Sequence, residues 1–371
     1  MARFHLALSC VEGVGPVAVG RLLSVFPDAA SAFGAEMSRL CAAGLKTNQA
    51  EAVLSFNRWD EVDRILAEAE RLGQQVLAVD DPRYPAAFRT MIAPPPVVFA
   101  RGRLAEEAEL AVTVVGTRKP TEYGERVAMR LGAALAKAGI CTVSGGALGI
   151  DARAHTGALS ENGRPIAVLG AGLDVIYPPE HAGLFERIVA AGGLLLGEFP
   201  PGTPPDRFTF PRRNRLMAGL GRACVVVEAG EKSGALITAR YAMEEGKTVL
   251  AVPGPIDRAA SRGVNRLLRD GAKPLLDIVD VTEEVLGEHL RRGFAEDEAF
   301  AAMRRPAAPA LDGDVGALWD VLVLGPADTD TLVEKTGLSA ARVNAALVEL
   351  EIQGRLQRQP GNRFIAIWTE D

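Results

Sequence analysis

A chain of 371 residues, 48% hydrophobic and 24% charged, is long enough for two or three globular domains and too rich in apolar residues to be largely disordered. No apolar run approaches the roughly 18 residues of a membrane span, and the opening MARFHLALSCVEGVGP lacks a secretory pattern, so a cytoplasmic protein without membrane contact is expected. The net charge of −6 argues against a polyanionic partner only as a whole-chain value. By segment, residues 1–81 hold 7 basic and 11 acidic side chains, residues 82–290 hold 25 and 23, and residues 311–371 hold 5 and 10. The middle of the chain is where an anion fits.

In chain order, residues 1–81 show helix-period apolar positions, as in Val19, Leu22, Leu23 and Phe26, then Val62, Ile65, Leu66 and Ala69. They predict a small helical domain. Its Gly13-Val14-Gly15-Pro16 has the look of half a helix-hairpin-helix, or of a plain turn before a helix.

A proline-rich entry opens residues 82–290, where short apolar runs at 111–115, 141–143, 166–169, 193–196, 223–227 and 248–252 alternate with amphipathic stretches such as 123–138. This alternation predicts an α/β domain with a doubly wound, parallel, Rossmann-like sheet, with ligands gathered beyond the C-terminal strand ends. Residues 291–310, charged and rich in Ala and Pro, read as a linker. Residues 311–371 then predict three helices, the last capped by Ser339, and a hairpin around Pro360-Gly361. That is the winged-helix pattern.

Several chemistries lack their residues. The four cysteines and four histidines form no CxxC, HExxH or HxxxH, so neither a metal nor another cofactor is expected. Gly170-Ala171-Gly172 starts a dinucleotide fingerprint that fails at Val175, Gly246-Lys247-Thr248 lacks the earlier Walker glycine because Tyr241 stands there, and there is no G-x-S-x-G elbow.

Glycine-rich loops instead follow four of the strands. They are Gly116-Thr117-Arg118, then Ser144-Gly145-Gly146 leading to Asp151, then Gly170-Ala171-Gly172 leading to Asp174, and a stretch holding Ser233, Gly234 and Thr238. Glycine lets backbone approach an anion, and each following helix offers free N–H groups, so the set predicts phosphate binding. Asp151 and Asp174 read as loop-bracing residues.

A second signal is Arg207, Phe208, Phe210, Arg212, Arg213, Asn214 and Arg215, interleaved in a chain with only 5% aromatics. Arginine binds phosphate and an aromatic ring stacks any unpaired base, a combination suited to single-stranded nucleic acid. Alternatively the phenylalanines are core and the arginines pair structurally with Asp151 or Glu228, which stays open for Asn214 and Arg215.

At these residues the chain resembles the DNA-processing protein A (DprA/Smf) family, through VVGTRKPTEYG, SGGALGIDARAHTGAL, VLGAGLDVIYPPEH, LLLGEFPPGTPP, FPRRNRLMAGL, VVVEAGEKSGALITARYAMEEGKTVLAVPGPI and SRGVNRLLRDGAKPL. The resemblance implies a non-enzymatic homodimer that binds single-stranded DNA, protects it during natural transformation and helps load the RecA recombinase. It implies phosphate contacts by Arg118 and Arg207 and base stacking by Phe210 or Phe208. It also implies an N-terminal SAM or helix-hairpin-helix-like domain and a C-terminal winged helix.

One departure is Pro179, where many members carry Lys. It leaves a phosphate contact missing or supplied by His181 or Arg187. Apolar positions Val264, Leu267, Leu268 and Leu275 are candidate dimer contacts. The competing reading is a nucleoside monophosphate phosphoribohydrolase on a similar sheet, but EAGEKSGALITAR lacks that family's PGG and places Arg240 where an acid is required.

Overall fold

The computed structural model describes residues 2–104, 110–291, 311–322, 327–359 and 363–366. Two compact units divide the chain, Met1–Gly293 and Phe294–Asp371. The expected linker falls almost wholly outside the described residues.

The larger unit is built on a nine-stranded sheet: β1 (Gln75–Ala78), β2 (Val97–Gly102), β3 (Ala111–Val115), β4 (Cys141–Ser144), β5 (Ile166–Val168), β6 (Leu194–Gly197), β7 (Ala223–Val226), β8 (Thr248–Ala251) and β9 (Lys273–Pro274). Their order is β1-β2-β6-β5-β4-β3-β7-β8-β9. From β6 to β9 all neighbours are parallel, while β1 and β2 are added antiparallel at one edge. The six expected runs became β3 to β8. The chain steps outward from β3 through β4, β5 and β6, then returns to β3's other flank with β7, so the winding reverses between β3 and β7. A doubly wound sheet opens its ligand crevice at such a reversal.

Why these segments are strands follows from burial on both sides. Alternate residues of one strand point to opposite faces, and here Val98, Ala100, Leu194 and Leu196 join one apolar cluster while Val97, Phe99 and Leu195 join another. Both faces are covered by helices, as the unbroken apolar runs require.

The N-terminal helices pack against the sheet across the boundary expected at residue 81. Leu6 and Ala7, from the helix Ala2–Cys10, and Val62 and Ala69, from the helix Trp59–Arg71, belong to the cluster that holds Val97, Phe99 and Leu195. The remaining helical residues pack a core of their own around Leu8, Val19, Leu22, Leu40 and Val53. The strand β1 leaves the helical segment and pairs with β2 from Val76↔Phe99 to Ala78↔Val97. Sheet and helical segment are therefore one folded body.

The smaller unit has helices Gly313–Leu322, Thr329–Thr336 and Ala340–Ile352. They are followed by β11 (Leu356–Gln359) and β12 (Arg363–Ala366), with β10 (Ala327–Asp328) pairing β12 from the other side. This is a winged helix, closed over Leu318, Trp319, Leu332, Val343, Leu347, Leu350 and Phe364. Ser339 takes the N-cap position in extended conformation but makes no side-chain capping bond, whereas Asp328 caps the preceding helix through the Thr331 amide at 2.8 Å.

Candidate nucleic-acid interface

Strands β5, β4, β3 and β7 are consecutive neighbours and parallel, so the four glycine loops after them emerge side by side on one edge. The loops are locked to one another. The Thr117 amide donates to the Glu228 carbonyl at 2.7 Å, and the Ile150 amide donates to the Thr117 carbonyl at 3.2 Å. Buried Glu228 accepts from the Thr121 amide at 2.9 Å. Asp151 braces its own loop by accepting from the amides of Gly145 at 3.1 Å and Ala147 at 3.4 Å, and Asp174 accepts from the Gly202 amide at 3.0 Å.

Two of the glycines make room in different ways. A Cβ on Gly145 would overlap the Arg213 guanidinium. Gly146 sits at φ +63°, in the left-handed region, with Phe185 against it.

The arginines divide sharply. Arg118 is exposed, with its guanidinium 5.2 Å from the Phe210 ring centre, and Arg207 is exposed, 4.6 Å from Phe208, which is itself 67% accessible. Arg212 is ion-paired to Glu198 at 3.1 Å and lies over Phe199, yet more than half of its side chain faces solvent.

Arg213 and Asn214, in contrast, are buried. Arg213 donates to the carbonyls of Gly145 and Val168 and to Asn214 Oδ1, and Asn214 Nδ2 donates to the Gly234 carbonyl at 3.4 Å. Arg215 donates to the Ala93 carbonyl at 2.6 Å and pairs with Glu198. Arg213 and Asn214 hold the loops from beneath, Arg213 forming part of the floor of the pocket described below, and Arg215 ties the helix to Ala93 and Glu198. The structural alternative is thus realised for them, with Glu198 as the acid for Arg215.

The other expected residues also sort by exposure. The buried Ser144 hydroxyl donates to the Val114 carbonyl at 2.6 Å, tying β4 to β3, and Thr238 is buried. Gly234 is exposed with open space around it, and Ser233 Oγ accepts from the Ala235 amide at 3.3 Å. His181 is turned inward, with Nδ1 2.8 Å from the Gly146 carbonyl, so it braces the loop instead of replacing the missing lysine. Arg187 is exposed on the helix Ala182–Ala190.

Burial shapes the charges beneath the loops. It holds the Arg213 pKa down at about 10, against the attraction of Asp151, so the side chain stays cationic at neutral pH. Burial raises the Asp151 carboxyl, with Arg213 and the loop amides pulling the other way. His155 is pushed down to about 3, by burial first and then by His181 and Arg213, and is neutral.

Arg118, Phe210, Tyr177 and Gly170 line a small pocket of ≈ 40 Å³ on this edge. A larger hollow of ≈ 1180 Å³ lies at the opposite ends of β4 to β6, but its Arg83 is paired with Asp81 and its Arg89 donates to the carbonyls of Val79 and Asp81.

Comparison with known proteins agrees with this architecture. The DNA recombination-mediator protein A family matches residues 75–286, and the DprA winged helix domain matches residues 302–362. The chain belongs to this family. Among its relatives, Protein Smf of Synechocystis is 36% identical over 97% of this chain and 98% of its own. A putative DNA processing protein DprA of Mycobacterium tuberculosis is 40% identical over 81% and 80%. The solved DprA of Streptococcus pneumoniae superposes with a TM-score of 0.66 at 30% identity, covering 76% of this chain and 98% of that one. DNA processing protein A from Helicobacter pylori, whose structure concerns its single-stranded DNA binding mode, superposes at 0.52 with 31% identity, covering 58% and 96%. The family match starts at Gln75, the first residue of β1.

Tyr177 and Glu198 escaped the sequence reading. Tyr177 stands in one of the glycine loops, and its being one of only four tyrosines in the chain was the available signal.

Proposed function

We propose that this protein binds single-stranded DNA along the loop edge of its sheet, protects it, and hands it to the RecA recombinase during transformation or recombination, acting without catalysis and as a homodimer. The observation that carries the reading is the pair of exposed arginine–aromatic contacts, Arg118 on Phe210 and Arg207 on Phe208, beside four converging glycine loops. A cation for the phosphate next to a ring for the base suits an unpaired strand of any sequence.

Around Arg240 there is no arrangement to favour glycosidic hydrolysis. That residue is exposed and pairs with Glu244 on its own helix. The winged helix is a poor DNA reader, since Arg342, the basic residue of the helix Ala340–Ile352, is paired to Asp314.

For the dimer, the sequence candidates Val264 and Leu275 are core, and Leu267 and Leu268 pack against that core. Among the exposed apolar side chains open to a second copy are Ile256, 89% accessible, and Leu276, 78% accessible, on the segments following β8 and β9.

The test is a salt titration of binding to an oligothymidine and to a duplex, with wild type and the Arg118→Ala/Arg207→Ala double variant in parallel. Strand-selective, salt-dependent binding lost in the double variant is expected. Equal binding by wild type and variant would overturn the assignment of the interface.

A further inference from the structure

The pocket beside Arg118 contains a second aromatic residue that the phosphate and stacking roles above do not use. Tyr177 is 42% accessible, and its ring centre is 5.8 Å from that of Phe210 at 45°. Its position is fixed from below. The Pro178 carbonyl accepts from the His181 amide at 3.0 Å, and the His181 ring holds the Gly146 carbonyl at 2.8 Å. The tyrosine is thereby tied to the same glycine loop that Arg213 and Asp151 brace.

Phe210 is the more enclosed ring of the two. It presses on Gly170, where a Cβ would come within 2.9 Å of a ring carbon, and carries the Arg118 guanidinium as well.

The geometry also says how such a pair can be used. A base inserted between two rings needs about 7 Å between them, twice an aromatic contact distance. At 5.8 Å and tilted, Tyr177 and Phe210 touch each other and leave no slot. They form a bent platform with the open face on Tyr177.

We propose that Tyr177 is a second base-stacking residue adjoining Phe210, extending the edge beside Arg118 by one further unpaired base. The inference rests on the single-strand reading of the interface.

It is tested with oligothymidines carrying 2-aminopurine, comparing Tyr177→Phe, Tyr177→Leu, Phe210→Ala and wild type. Tyr177→Leu keeps apolar bulk against Phe210 and removes the π-face. About tenfold weaker binding is expected for it, on the order of one lost base stack. The salt slope should be unchanged, because no phosphate contact is lost, and quenching of 2-aminopurine should decrease. Tyr177→Phe should behave as wild type.

If Tyr177→Leu binds and quenches as wild type while Phe210→Ala is impaired, the second platform is wrong and the single-strand reading stands. If wild type itself fails to bind single strands, the reading falls and takes the platform with it. A thermal melt of each variant separates lost binding from lost folding, and Tyr177→Phe weakened with an unchanged melt would overturn stacking in favour of a role for the hydroxyl.

Discussion

Arg118 and Arg207 stand in solvent against aromatic rings, whereas Arg213 and Arg215, a few residues further along, are drawn under the loops and bonded to carbonyls and to Glu198. The residue type is the same and the neighbourhood overlaps. What differs is the place in the helix Thr209–Leu220: Arg213 shares a face with Leu216, Met217 and Leu220, all buried, while Arg207 precedes the helix altogether. The run from Arg207 to Arg215 therefore contains both solvent-facing cations and the buried side chains that hold the structure beneath them.

The sharpest way to break this division is Arg213→Ala. It strands the carbonyls of Gly145 and Val168 and leaves Asp151 without its cation, so a loss of about 3–5 kcal/mol in urea denaturation is expected. A variant as stable as wild type would show that the buried arginine is no frame.

His155 tests the same frame by pH. Its pKa is 6.5 when unperturbed and about 3 in the fold, so the unfolded chain takes up a proton on acidification before the folded one does. The stability it contributes is complete above about pH 6.5 and declines as the pH falls toward about 3. Between about pH 7 and 5 the decline is about 2 kcal/mol. Subtracting the denaturation profile of His155→Gln from that of wild type isolates the residue, and parallel profiles would refute a buried neutral imidazole.

On the solvent side, Arg118→Ala and Arg207→Ala should leave the denaturation midpoint where it was. Each should reduce the slope of log affinity against log salt by about 0.7 for single strands. Smallest of all is Arg342→Ala in the winged helix, which breaks an exposed pair with Asp314. Neither DNA affinity nor the melting temperature should change measurably, and a marked drop in affinity would move the interface toward that unit.

Much of this was legible from residues alone. The six runs that became β3 to β8 are short, largely apolar stretches, four of them followed by glycine loops, and sheets buried on both faces write themselves that way. The strands β1 and β2 were not legible. Gln75–Ala78 is four residues with a polar start, and Val97–Gly102 follows Pro94-Pro95-Pro96, which reads as a break.

In the interface, residue type announced the chemistry but not the direction. The i, i+3, i+4, i+7 spacing of Arg213, Leu216, Met217 and Leu220 marks the buried face, yet an arginine at the head of an apolar stripe does not reveal that it has carbonyls to bind. Phe210, the better match to the family's aromatic with Phe208 second, lies against Gly170, where a Cβ would meet its ring, while Phe208 stands 67% accessible.

The pairing of β1 with β2 also closes a strand edge. Residues Val97 to Ala100 of β2 are all apolar and buried, and β1 covers their outer hydrogen-bonding edge. Cutting the chain at the seemingly natural break before the prolines would bare a flat apolar strand edge together with the sheet face that Leu6 and Val62 cover. Such an edge recruits other chains, so a chain lacking the N-terminal segment is expected to aggregate.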